Sequence, residues 1–227
     1  MKSTPILFNA DMVRALLIGA KTQTRRVMKV QPPSAEYKLS TCIDTTGNKK
    51  DKGRQHWITI QDQYSIDDSS QPYFSCPFGY AGDQLWVRET FQPIFAEGVT
   101  DLADIDYKTG EGYAPIYPAT DKVAEFVSFY GDITTRCTPS IHMPRWASRL
   151  NLEITKVRVE RLNDISEEDA LAEGIEGEFA NYKDYTGDVE GFAYATGSYR
   201  TLWESINGEG SWAANPWVWV IEFEVLK

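Results

Sequence analysis

The chain has 227 residues, 42% hydrophobic and 25% charged, enough for one sizeable core and too apolar for wholesale disorder. No apolar run reaches the roughly 20 residues of a membrane-spanning helix. The opening Met1-Lys2-Ser3-Thr4-Pro5 lacks the apolar stretch of a secretory signal, so no membrane partner and a cytoplasmic location are expected. The formal net charge of -10 argues against a generic nucleic-acid coat, which must neutralise phosphates with Lys and Arg.

That charge is uneven. Asp164 to Glu190 holds ten acids against Lys183, a net -9, which leaves the rest of the chain near neutral. Arg14 to Lys29 carries five cations and no acid. A single nucleoside or one splayed-out RNA base therefore suits the chain better than a long duplex, which the acidic segment would repel.

In chain order, Asn9 and Asp11 read as the start of a helix whose apolar stripe is Met12, Ala15, Leu16 and Ile18, with Gly19 as its left-handed end. Lys21 to Val30 is β-compatible. A polar stretch from about 31 to 75, opened by Pro32-Pro33, reads as a surface insertion whose strand-like piece is Trp57-Ile58-Thr59-Ile60. Gln84 to Phe91 alternates as a strand, with Leu85, Val87, Glu89 and Phe91 on one face and Trp86, Arg88 and Thr90 on the other. A second insertion covers about 93 to 138. Pro144 to Leu150 reads as a short helix or turn.

Leu152 to Leu162 is a strand whose apolar parity slips between Ile154 and Val157, which predicts a bulge. Ser166-Glu167-Glu168-Asp169 resembles a capping box and Gly174 closes the helix it starts. A third insertion covers about 176 to 197. Ser198 is expected to cap a helix ending near Gly208, and Trp217 to Val225 closes the chain as a strand with Trp217, Trp219, Ile221, Phe223 and Val225 on one face. Strands separated by short helices, without a repeat, point to one α+β domain of antiparallel, barrel-like build.

Gly19 to Arg26 packs Lys21, Arg25 and Arg26 with Thr22 and Thr24 directly after a helix end. Neighbouring cations and burial would lower the Lys21 pKa, as a general base requires, while the same run also fits a solvated basic strand edge. Glu173 sits at the negative end of its helix dipole among other acids, which suits a general acid and equally a solvated helix end. Arg88 and Glu89 either line a pocket or pair across strands. His142, Arg145 and Trp146 combine a base, a guanidinium and a stacking ring, a mix that fits a nucleobase or merely caps the core. Cys42, His56, Cys76, Cys137 and His142 form no metal-binding spacing, so neither a metal nor a cofactor is expected.

Gly19-x-Lys21-x-x-x-x-Arg26 resembles the signature of the ASCH domain family, whose fold is a PUA-like β-barrel. Gly82-Asp83-Gln84-Leu85-Trp86-Val87-Arg88 resembles its Gly-Asp turn and strand, Ile165 to Glu173 its capped helix, and Val220 to Phe223 its closing strand. These pieces cover about half the chain. Cys76-Pro77, Trp86 to Glu89 and His142 to Trp146 are similar to the longer form met in phages and prophages. One branch of the family hydrolyses N4-acetylcytidine with a Lys, a Thr and a Glu, and its motif falls on Lys21, Thr24 and Glu173. The resemblance implies that Lys21 activates Thr24 or a water, Glu173 protonates the departing amine, and Arg26 holds the carbonyl oxygen. Trp86, Arg88, Glu89, His142, Arg145 and Trp146 complete the expected binding set. A binding module without turnover and a ribonuclease are the alternatives.

Overall fold

The computed structural model describes residues 1–32, 37–41, 55–59, 74–95, 102–107, 113–114, 137–178, 181–188 and 190–226. In chain order the elements are β1 (Ser3–Leu7), α1 (Ala10–Leu17), β2 (Gln23–Val27), β3 (Tyr37–Thr41), β4 (Gln55–Thr59), β5 (Gln84–Arg88), β6 (Phe91–Phe95), β7 (Leu102–Tyr107) and β8 (Tyr113–Ala114). They continue with β9 (Asn151–Arg161), α2 (Glu167–Ala172), β10 (Gly177–Glu178), β11 (Asn181–Tyr182), α3 (Ala195–Asn207) and β12 (Trp217–Leu226). Among the described residues no helix is long and apolar enough to cross a membrane.

The fold is mixed α+β around a five-stranded sheet in the order β1-β5-β9-β12-β2. β1 and β5 run parallel and the other neighbours antiparallel. The sheet is not closed by backbone pairing: β1 and β2 are its two edges. A side chain spans the gap instead, with Arg26 Nη2 donating to the Leu7 carbonyl at 2.6 Å. The smaller sheets β3-β4, β6-β7-β8 and β10-β11 arise from the three expected insertions. Of the strand expected at residues 57–60, Ile60 lies outside the described residues; β4 contains the rest and pairs with β3, which the polar sequence did not announce.

One face of the sheet carries the core. Ile6, Leu85, Val87, Leu152, Ile154, Trp219, Ile221 and Phe223 pack there with Met12, Val13 and Leu16 of α1. The bulge is where the parity slip predicts it: Lys156 opposes Glu222 and Ile154 opposes Phe223, so Thr155 is the extra residue that returns Leu152 and Ile154 to the core side. Val218 and Val220 are fully buried too, so β12 is covered on both faces, more than a one-sided wall.

Two helix starts differ from expectation. Ser166 caps α2, its Oγ accepting from the Asp169 amide at 3.1 Å, but the Asp169 carboxylate does not reach back to complete a capping box. It turns to Arg25 and Arg158, charged partners that outbid a neutral amide. Ser198 does not cap α3. The helix begins one turn earlier, Ser198 is buried inside it, and the Glu167 carboxylate accepts from the Ala195 and Thr196 amides at 2.7 and 3.3 Å. A first-turn glutamate of α2 thus caps α3.

Candidate active site

Three elements meet at the end of α1. Its N-terminus is fixed by Asn9 Oδ1, which accepts from the Met12 amide at 2.8 Å, and its C-terminus by Gly19 at φ 77°. The chain then turns so that the Ala20 and Lys21 amides both donate to the Ala15 carbonyl, at 2.8 and 3.0 Å. Thr22 is pinned from both sides: its amide donates to Ala172 at the end of α2, and its carbonyl accepts from Phe223 of β12, each at 2.8 Å. Lys21 therefore faces Glu173 across an isolated antiparallel bridge.

The approach is close enough to require glycine next to Glu173. Gly174 has φ 83°, and a Cβ there would lie 2.6 Å from the Ala15 Cβ and 3.0 Å from the Lys21 Cβ. Any side chain would push the α2 end away from Lys21.

Lys21 and Glu173 form a buried ion pair. Lys21 Nζ donates to Glu173 Oε2 at 2.8 Å and to the Glu173 carbonyl at 2.7 Å, with side-chain exposures of 0% and 2%. The ammonium also lies 5.5 Å from the Phe8 ring centroid. Burial lowers the Lys21 pKa; Glu173 pulls against that, and Arg26 and Arg25 add to it.

Behind the pair lies a polar network on the sheet face away from the core. Arg25, whose side chain is fully buried, donates to Asp169 at 2.7 Å, Glu160 at 3.2 Å and Glu173 Oε1 at 3.4 Å. Arg158 binds Asp169 at 2.8 Å and also contacts Glu160 and Glu222. Gln23 Nε2 donates to the Asp169 carbonyl at 2.7 Å. Burial works to raise the Asp169 carboxyl, but the bonds and charges of Arg25 and Arg158 prevail and hold it below its ordinary value. Asp169 and Glu173 of the acidic segment are thus counter-charges of the basic run. Among the described residues, three of the five cations there are paired within the chain: Lys21, Arg25 and, through Asp11, Arg14.

A cleft of about 50 Å³ opens beside Glu173. Thr24, Arg25 and Arg26 of β2, Met12 of α1, and Tyr199, Leu202 and Trp203 of α3 contribute to its walls. Thr24 is buried, and Ile221 holds it in register. Arg26 lies over Phe8 at 5.3 Å. Lys21 does not line the cleft and lies behind Glu173. Two donors on the lining residues, Arg25 Nε and Trp203 Nε1, are buried without a hydrogen-bond partner. Tyr199 is buried, and burial followed by the Glu173 charge raises its phenol well above the ordinary value. The site is rich in donors, so it favours a ligand that brings acceptors, such as a carbonyl oxygen.

The remaining expected residues lie elsewhere. Trp86 and Arg88 are on the outer face of β5, Arg145 and Trp146 follow Pro144 in a 3-10 turn, and His142 is exposed at the end of another. None of these five lines the cleft. Neither does Glu89: it is buried and held by Arg149 at 2.9 and 3.0 Å, the pairing alternative rather than the pocket one. Arg25, Asp169, Tyr199 and Trp203 were missed. The aromatic pair at i and i+4 on α3 was the available signal for the last two.

The chain matches no family model, no curated protein and no solved structure.

Proposed function

We propose that the chain hydrolyses the acyl amide of an N4-acylated cytidine-type nucleoside, with Glu173, held by Lys21, as its proton-transfer group. The observation that carries this reading is a buried carboxylate on a cleft wall, bonded at 2.8 Å to a lysine whose hold on its proton burial weakens. Glu173, on the cleft side, takes a proton from a water oriented by Thr24 as the water oxygen bonds to the acyl carbon. The carbonyl oxygen gathers the negative charge and is met by Arg26 and the unpartnered donors of Arg25 and Trp203. The C–N bond then breaks, Glu173 returns its proton to the departing amine, and a carboxylic acid and free cytidine leave. Lys21, behind Glu173, is a positioning residue that holds the carboxylate at the cleft wall.

The cleft is smaller than the roughly 300 Å³ of an ordinary ligand pocket, so it takes the acyl end and leaves the sugar outside. The PUA-like barrel of the ASCH family belongs to the same proposal. It is supported by the four resembling segments in order and by the Arg26–Leu7 tie between the edge strands. A binding module without turnover is the second reading, favoured by the position of Lys21 behind Glu173.

Incubation with N4-acetylcytidine, following loss of the acetylated base, tests the enzyme reading. Turnover by the native chain, loss in Glu173→Gln, a deep cut in Thr24→Val and a shifted pH profile in Lys21→Met are expected. No turnover at any substrate concentration by folded native protein refutes it, and retained binding of the nucleoside would then favour the second reading.

A further inference from the structure

Two arginines sit on one indole at the outer face of the sheet. The Arg88 guanidinium carbon is 4.6 Å from the Trp86 ring centroid and that of Arg145 is 5.7 Å from it. Both groups are oriented by neutral acceptors: Arg88 Nη1 donates to the Ile141 carbonyl at 3.3 Å, and Arg145 Nη2 to Asn151 Oδ1 at 2.6 Å. Among the described residues neither is paired with a carboxylate, and Arg88 Nε is buried with no partner at all. Glu89, next along the chain, points to the opposite face and is taken by Arg149. Trp86 is only 7% exposed, so its ring serves as a platform for the guanidinium groups and is not free to stack on a base.

The two guanidinium groups held over one ring repel each other with no carboxylate of the described residues between them, a repulsion that an anion bound there would relieve. Stacking fixes the planes of both forks before any ligand arrives, which reduces the entropy lost on binding. Two fixed guanidinium groups fit an anion with several charged oxygens, or two successive phosphates, better than a lone carboxylate.

We infer that Trp86, Arg88 and Arg145 form a phosphate-recognition site, separate from the cleft, for the phosphates of a nucleotide or a single-stranded nucleic acid. β1 touches both Arg88 and the Arg26 of the cleft. Leu7 pairs with Arg88, the Phe8 amide donates to the Arg88 carbonyl at 3.2 Å, and the Leu7 carbonyl accepts from Arg26. The phosphate site itself rests on residues outside the cleft and stands whether or not the cleft turns over substrate.

The test is fluorescence anisotropy with a labelled 12-nucleotide single-stranded oligocytidylate RNA, from 20 to 200 mM salt, with cytidine monophosphate, inorganic phosphate and cytidine as competitors. Arg88→Gln/Arg145→Gln keeps most of each stem while removing both charges. It is expected to weaken binding at least tenfold and to flatten the log–log salt slope by about 1.4, near 0.7 for each phosphate that is no longer neutralised. Arg200→Gln, an exposed arginine of α3 paired with Glu204, leaves both unchanged. Competition by cytidine monophosphate but not cytidine assigns the site to a single nucleotide phosphate, and competition by unlabelled RNA alone assigns it to successive backbone phosphates. Should the double variant lose its fold by circular dichroism, the exposed Arg145→Gln alone carries the test, with about half the change in slope. Absence of binding by the native chain to every phosphate probe overturns the inference. So does unchanged affinity and slope in a folded variant.

Discussion

Replacing Lys21 by Met keeps the length and most of the volume of the side chain but removes the Nζ that lies 2.8 Å from Glu173 Oε2 and 2.7 Å from the Glu173 carbonyl. Glu173 is then left buried, with Arg25 at 3.4 Å as its remaining charged partner. Removing one member of a buried pair generally costs about 3–5 kcal/mol, and the surviving Arg25 interaction places Lys21→Met near the lower end, about 3 kcal/mol. Glu173→Gln leaves an ammonium with no exposed surface facing a neutral amide, which places it near the upper end. The double variant removes both charges together, so it is expected to lose about 2–3 kcal/mol less than the two single costs added. Urea unfolding of the four proteins at one pH closes the cycle. The pH dependence has a definite sign: because the folded-state pKa of Lys21 is depressed, native stability rises with pH between that value and the ordinary 10.5, and Lys21→Met removes the rise. Single variants that cost under about 1 kcal/mol, or costs that simply add, would refute the description of a desolvated, coupled pair.

Asp169→Asn removes a carboxylate held below its ordinary value of 3.8, so its stabilisation is present above that value and is lost as pH falls through the folded one. The variant is expected to be about 2–3 kcal/mol less stable at pH 7 and to show a flatter acid limb in thermal unfolding below pH 4. Gly174→Ala forces a Cβ against Ala15 and Lys21 at a left-handed position; a loss of about 2–4 kcal/mol in urea unfolding is expected, whereas Gly19→Ala, with open space around it, costs only about 1 kcal/mol. Tyr199→Phe leaves the packing against Trp203 and Trp212 intact and removes a hydroxyl that makes no hydrogen bond to the described residues. Its midpoint is expected to stay within about 3 °C of the native one, while affinity for N4-acetylcytidine falls.

Local chemistry made several elements legible. The Asn9 and Ser166 caps, the glycines at 19, 174 and 208, and the parity slip after Ile154 each mark a feature that the backbone adopts. Nearest-neighbour logic failed where a distant partner outcompeted a near one. Ser198 has a good capping side chain, yet Glu167, 28 residues before Ala195, holds the amides at the start of α3. Asp169 sits at the capping-box position and goes instead to two arginines from other strands. Candidate residues Lys21, Thr24, Arg26 and Glu173 do converge on one region, because Gly19 and Gly174 bring two helix ends together. The resemblance pointed to Thr24 and Arg26 and not to Arg25; an edge strand lets residues from both of its faces reach the same cleft. Alternation did place Trp86 and Arg88 together on one face of their strand, but it carries no information about which other elements that face meets, so their grouping with the cleft was not legible.

The cap that α2 supplies to α3 has a dynamic consequence. Local opening in proteins proceeds by cooperative units, and a unit is defined by groups that lose their partners together. Were α2 to lift from the sheet, the Ala195 and Thr196 amides would lose their acceptor in the same event, and α3, which forms one wall of the cleft, would fray at its first turn. The wall bearing Glu173 and the wall bearing Tyr199 and Trp203 are thus one opening unit. Amide exchange at Ala195 and Thr196 is expected to be slowed by the Glu167 cap and to quicken together with that of α2 in Glu167→Gln.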